Sequence, residues 1–260
     1  MATSVRVAAV GDLHCTKASL GALQGLFSRI AESADVVVLC GDLTDRGQPD
    51  EARVLAKELQ AVKVPKVAVL GNHDFESDAA GEVTDILTQA DVTILDGTVL
   101  EVSGVGFAGT KGFAGGFGEQ ALQAWGEEPI KTFVRAAVDE TLKLESALAK
   151  LRPRGRVVLL HYAPVRDTCD GEPFEIYPFL GSSRLEEPVN RYAASVVFHG
   201  HAHRGQPEGK TAGGIPVYNV ALPLLQRLYP DRSPFRVVEI PATPAEPAPP
   251  AVTVSRERPQ

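Results

Sequence analysis

Five short apolar runs constrain what this chain can fold into. VRVAAV leads into Gly11, VVVLC into Gly41, KVAVL into Gly71, RVVLL into His161 and SVVF into His199. Each has strand length and a high content of β-branched residues, and each stops at a turn residue or a polar side chain. Between them lie stretches with amphipathic helical spacing at 18–33, 50–62, 79–90 and 130–151. Strands and helices in alternation predict parallel βαβ units, whose functional loops sit at the carboxyl ends of the strands. Further β-like runs at 92–109, separated by Gly97 and Gly104, and at 215–222 and 235–240 predict a second, mixed or antiparallel sheet.

The five strand ends carry one kind of chemistry. They read GDLH (11–14), GDLTDRG (41–47), GNHD (71–74), HYAP (161–164) and HGHAH (199–203), and they contain all six histidines of the chain. Imidazole nitrogen, carboxylate oxygen and amide oxygen are the ligands that water-activating metal ions favour. Asp12 and His14 stand two residues apart, as do His201 and His203, so one loop can turn both side chains of a pair onto one ion. Asp42 has two carboxylate oxygens and could hold two ions at once, while Asn72 and His161 offer neutral ligands. One such dipeptide alone is an ordinary turn. Five together at strand ends point to a site for two metal ions, the arrangement that clamps both oxygens of an in-line displacement at phosphorus.

On these motifs, DxH, GDxxD, GNH[DE], a later His and GHxH in that order, the chain resembles the calcineurin-like metallophosphoesterase superfamily over residues 11–203, and within it a compact bacterial-type phosphodiesterase branch. The resemblance implies an α/β fold, a two-sheet mixed β-sandwich flanked by helices in four layers. It implies that Asp12, His14, Asp42 and His203 hold one ion and Asp42, Asn72, His161 and His201 the other. It also implies that His73 serves the leaving group, that Asp45 orients His73, and that a metal-bridging hydroxide attacks. The ions would be divalent or trivalent transition metals, Mn, Fe, Zn or Co, since this donor set suits them all. The substrate implied is a small or cyclic nucleotide-like phosphodiester.

Arg46 gives GDLTDRG the form found in serine/threonine protein phosphatases, where the Arg contacts phosphate; its planar fork of donors suits that task. Against that reading stand GNHD in place of GNHE, no Gly after DxH, and a short middle region. A phosphomonoesterase or protein phosphatase is the alternative function; a nuclease or a scaffold without catalysis ranks lower, since every ligand position is filled. His199 reads as the last residue of its strand, and Cys15 and Cys40 as small buried residues.

Residues 1–240 read as a single domain and 241–260, rich in Pro and Ala, as a tail that does not fold by itself. The net charge of −7 disfavours a grip on long nucleic acid. Three cysteines without a CxxC pair, no room for a leader before the first motif, and no apolar run of membrane length place the chain in the cytoplasm as an expectation, away from membranes. Two loops are expected to choose the substrate. One is the Gly-rich run 110–120, read as a mobile flap; the other is 166–185, whose aromatics could stack on a base or build a dimer contact.

Overall fold

The computed structural model describes residues 4–243. In chain order its strands are β1 (Ser4–Val10), β2 (Val36–Cys40), β3 (Lys66–Val69), β4 (Val92–Ile94), β5 (Thr98–Val102), β6 (Val105–Gly109), β7 (Gly155–Leu159), β8 (Val196–His199), β9 (Glu208–Lys210), β10 (Pro216–Asn219) and β11 (Arg236–Pro241). They form two sheets. The first has the order β11-β1-β2-β3-β4, and the second β5-β6-β7-β8-β10-β9. Within the first, β1 to β4 run parallel and β11 is antiparallel to β1; within the second, β6, β7, β8 and β10 run parallel between antiparallel edges.

The helices are α1 (Gln24–Ser33), α2 (Pro49–Glu58), α3 (Ala80–Gln89), α4 (Glu128–Leu148), α5 (Tyr177–Leu180), α6 (Glu186–Arg191) and α7 (Leu222–Leu228). Because parallel strands bury both faces, alternate residues of one strand enter two different cores. Val7, Ala9, Val36, Val38 and Val69 meet Phe107, Val157, Leu159 and Phe198 between the sheets. Ala8, Val10, Val37 and Leu39 instead meet Phe27, Ile30, Leu55 and Leu87 of α1 to α3, and Val158 and Val197 meet Leu144 and Leu148 of α4. The layers therefore run helix, sheet, sheet, helix, the sandwich expected from the motifs.

Local chemistry sets the boundaries. Pro49 opens α2 with its fixed φ, and Glu51 reaches back to the Gln48 amide in a capping box. The stretch expected to be helical from residue 18 becomes helix only at Gln24, because Gly21 sits at φ +83°. The buried Glu58 carboxylate takes up the freed amides of Gly21 and Leu23. The β-like run 215–222 yields β10, and its last residue starts α7 with Pro223 in the first turn. Beyond residue 240, Pro241 pairs with Ser4, and the Thr243 amide donates to the Gly104 carbonyl. The tail beyond 243 lies outside the described residues.

Candidate metal centre

The motif loops leave β1, β2, β3, β7 and β8 at their carboxyl ends and meet along the seam between the two sheets. Their backbones are strained where they meet. Among the described residues eight non-glycine residues have positive φ, and four of them are Asp12 (54°), His14 (41°), Asp42 (47°) and His201 (69°). Such a conformation costs on the order of 1–3 kcal/mol per residue and survives only where the surroundings over-determine it. The four residues are ones expected to hold metal. Glycines let the strained loops close. A Cβ on Gly71 would lie 2.2 Å from the Asp42 amide nitrogen and equally close to its Oδ1.

Asp12 lies at the floor, buried, where both of its oxygens accept the His201 amide at 3.0 Å and Oδ1 accepts His203 Nε2 at 2.8 Å. Burial alone would raise its pKa, but the His203 hydrogen bond and the surrounding imidazoles hold the carboxyl below the usual range. The same bond raises His203 above an ordinary histidine. Asp42 stands between two groups of ligands. Its Oδ2 is 3.7 Å from His14 Nε2, and its Oδ1 is 3.4 Å from His161 Nε2. Asp12, His14 and His203 bring one ligand atom each within 4.8 Å of one another, and so do Asp42, His161 and His201.

Whether a cation fits can be read from the donors and acceptors. The Cys40 carbonyl accepts from His161 Nδ1 at 3.0 Å, so in the neutral ring the Nε2 lone pair faces Asn72 Oδ1 at 2.9 Å and Asp42 Oδ1. Three acceptors converge there, an arrangement that a cation relieves. The Phe179 carbonyl likewise takes the His201 Nε2 proton at 3.2 Å, leaving Nδ1 as the free lone pair, and burial pushes this imidazole down to about 3. His14 Nε2 is buried with no hydrogen-bond partner, which is rare unless an ion or water completes it. Burial lowers the His14 pKa as well. The unpartnered His14 Nε2 and the inward-facing atoms of His161 and His201 fit ions held by imidazoles and carboxylates.

His73 forms a third group with His14 and Asp45, one ligand atom of each lying within 4.8 Å of the others. Its amide donates to Asp42 Oδ1 at 2.8 Å, its ring meets His14 edge-on at 4.6 Å, and 37 % of its side chain is exposed. Burial pulls its pKa down, but the Asp45 carbonyl and the charges of Asp42, Glu76 and Asp45 outweigh it and raise the value. Asp45, expected to orient His73, meets it through its main chain. His73 Nδ1 donates to the main-chain carbonyl of Asp45 at 2.6 Å, while the Asp45 carboxylate is 3.5 Å from His14 Nδ1 and 3.7 Å from Arg46 Nε. The tight GDLTDRG turn directs the carbonyl inward and leaves the side chain to face the neighbouring loop. Arg46 is at the rim, 67 % exposed.

Several residues that shape the site carried no role in the sequence reading. Asp74, fully buried, accepts from Leu43 N, Thr44 N, Thr44 Oγ1 and Gly71 N and so ties the β2 loop to the β3 loop. Its place in GNHD was the available signal. Asn219 donates to the Ala202 carbonyl at 2.7 Å and Arg227 to the His203 carbonyl at 2.9 Å, and both steady the GHAH turn. His199 ends β8 as expected and bridges the Gly200 carbonyl and Thr168 Oγ1, both at 2.8 Å; burial pushes it down to about 4 and keeps it neutral. Burial raises Cys15 to about 12 and Cys40 well above its ordinary value, so neither thiol is poised to react.

The Gly-rich run is not a free flap along its whole length. Thr110 to Gly116 is largely buried, Thr110 Oγ1 and the Gly112 amide bond to Glu140, and the Gly115 and Gly116 amides bond to Pro178 and Gly181; only Gly118–Gln120 is exposed. Beside it, a cleft of about 680 Å³ is lined by Phe117, Arg166, Phe174 and Tyr177. Among the described residues, no helix is long and apolar enough to cross a membrane.

Comparison with known proteins adds a family to this geometry. The profile described as calcineurin-like phosphoesterase matches residues 5–205. No curated protein matches the chain. Among solved structures, the phosphopantetheinyl hydrolase of Mycobacterium tuberculosis is similar, at 18% identity and a TM-score of 0.62 over 92% of this chain and 97% of that one. The protein TT1561 of Thermus thermophilus is similar at 16% identity and a TM-score of 0.54, over 91% and 99% of the two chains. GAP50, the anchor in the inner membrane complex of Plasmodium, gives 15% and 0.53, over 85% and 72%. At these identities the likeness is one of fold.

Proposed function

The chain belongs to the calcineurin-like phosphoesterase family of metal-dependent phosphoester hydrolases, and we propose that it is a dinuclear phosphodiesterase acting on small or cyclic nucleotide-like diesters. The observation that carries this is the position of Asp42, whose two oxygens each face a different imidazole group. Asp12, His14, Asp42 and His203 would hold one ion, and Asp42, Asn72, His161 and His201 the other. When bound, the pair supplies an activated water and neutralises charge on the phosphoryl oxygens.

The remaining steps belong to the chain. His73, with Nδ1 spent on the Asp45 carbonyl, holds a proton at Nε2 that it can give to the leaving oxygen, and its raised pKa keeps that proton available. Arg46 offers a guanidinium at the rim to a phosphoryl oxygen. That guanidinium is mostly exposed and already paired with Asp45, which suits the single charge of a diester better than a monoester dianion. The cleft lined by Phe117, Phe174 and Tyr177 would give a heterocyclic leaving group surfaces on which to stack. The three buried, unpaired thiols accord with a reducing cytoplasm.

The test is hydrolysis of bis(p-nitrophenyl) phosphate against p-nitrophenyl phosphate by Mn²⁺-loaded protein, with Asp42→Asn beside it. The diester should be preferred, and Asp42→Asn should lose activity and bind fewer ions. Preference for the monoester would replace the diesterase reading with that of a phosphomonoesterase working through Arg46. An Asp42→Asn protein that keeps two ions and full turnover would refute the bridge.

A further inference from the structure

Lys111 lies two residues beyond β6, and its main-chain carbonyl accepts the amides of His161 at 3.0 Å and Tyr162 at 3.1 Å. Its backbone is thereby fixed to a ligand-bearing loop. Its side chain lies among three aromatic rings, with Nζ 4.9 Å from the Phe113 centroid, 5.1 Å from Tyr162 and 5.6 Å from Phe75. Phe75 closes the turn that begins at His73, and the Tyr162 ring is 4.6 Å from the His201 ring. The ammonium is therefore bracketed by the loops that carry His73 and His161.

This cation has almost nothing to bind. Among the described residues its one side-chain hydrogen bond goes to the Gly112 carbonyl at 3.0 Å, and no carboxylate lies within 4.0 Å of it. Glu140, the acid on that face, is occupied by Thr110 Oγ1, the Gly112 amide and Lys143 Nζ, and Lys143 also neutralises Asp96 at 3.0 Å. An ammonium has three protons to donate, and two of these are unspent. Keeping a partly buried cation with no carboxylate in direct contact is costly, and cation–π contacts with the rings recover only part of that cost. The side chain also lines a cleft of about 530 Å³ with Phe75, Lys143 and the carboxylates of Asp85, Asp96 and Glu140, the last two already paired with Lys143.

We propose that Lys111 is a specificity-determining residue whose ammonium binds a second phosphate of the substrate, one outside the diester that reacts. The proposal rests on the phosphodiesterase reading for the position of the reacting phosphorus, but not for its test. A compact ammonium with free donors complements phosphate oxygens, and the aromatic cage fixes where that charge sits. Substrates carrying a second phosphate are thereby favoured over those carrying one.

The experiment compares direct binding of adenosine 3′,5′-bisphosphate and adenosine 5′-monophosphate to the Mn²⁺-loaded protein by calorimetry. The wild type should bind the bisphosphate about ten-fold or more tightly, the worth of one charge-assisted contact. Lys111→Met, which keeps the packing of the stem, should remove that difference, and Lys111→Arg should restore part of it. Equal affinities in the wild type, or an equal loss for both ligands in Lys111→Met with its melting temperature unchanged, would overturn the proposal. Failure of the phosphodiesterase reading would show separately, as absent turnover of bis(p-nitrophenyl) phosphate by the same wild-type sample.

Discussion

Gly200 has no side chain because the Asp12 carboxylate fills the space that one would need. A Cβ there would fall 2.0 Å from Asp12 Oδ2 and 2.9 Å from the Cys40 carbonyl. Asp12 cannot step aside cheaply, since the His201 amide and His203 Nε2 already fix it. Gly200→Ala should therefore leave the sheets intact and shift the Asp12 carboxylate, weakening metal binding by about 10- to 100-fold, the usual range when a ligand's support is disturbed. Mn²⁺ titration by calorimetry reads the change. Wild-type affinity in this variant would show that Asp12 has room to move, contrary to the contacts around it. The same residue explains part of the strain at its neighbours: His201 adopts φ +69° with its amide directed at Asp12.

At the scale of elements, the β2 and β3 loops act as one unit because Asp74 joins them. Its buried carboxylate accepts four donors, at 2.6 to 3.2 Å, and the loops it joins present Asp42 and Asn72. Asp74→Ala strands those donors and should cost on the order of 3–5 kcal/mol, a value typical of a broken buried network. Urea unfolding should register that loss, and metal content should fall with it; a cost under about 1 kcal/mol would mean that water replaces the carboxylate. The strands that carry these loops were legible in the sequence, because parallel strands buried on both faces read as continuous apolar runs. The side chains expected as ligands stand just after these runs, and the fold brings them together in one place. The start of α1 was not legible, because Gly21 interrupts an otherwise helical pattern and the compensating partner, Glu58, is distant in sequence. Nor was it legible that His73 meets Asp45 through the main chain, because a main-chain carbonyl leaves no trace in residue identity. The packed state of residues 110–116 was hidden for a similar reason, since their amides bond to Glu140, Pro178 and Gly181, far along the chain.

At the scale of the whole molecule, the candidate metal centre lies on the seam between the two sheets. Asp12, His14, Asp42 and Asn72 come from loops of the first sheet, and His161, His201 and His203 from loops of the second. The contacts His203–Asp12, His161–Asn72 and His161 Nδ1 to the Cys40 carbonyl all cross the seam. Below them the sheets meet mainly through apolar packing, with Val38 and Val69 facing Phe107 and Leu159, and a few polar contacts join their edges, among them Arg236 with Glu208 and the Thr243 amide with the Gly104 carbonyl. Ions held at the seam would therefore brace one sheet against the other rather than merely order a loop. Metal removal should then lower the stability of the entire fold in one cooperative step. At free metal near 100 times Kd, each ion contributes about 2.7 kcal/mol, or about 5 kcal/mol for two. In a chain of this size that corresponds to a fall of roughly 10 °C in Tm on chelation. Scanning calorimetry of Mn²⁺-loaded and EDTA-treated protein measures it. A main transition that stays in place while a small low-temperature one appears would mean that the ions order only their own loops, and that the apolar seam holds the sheets together without them.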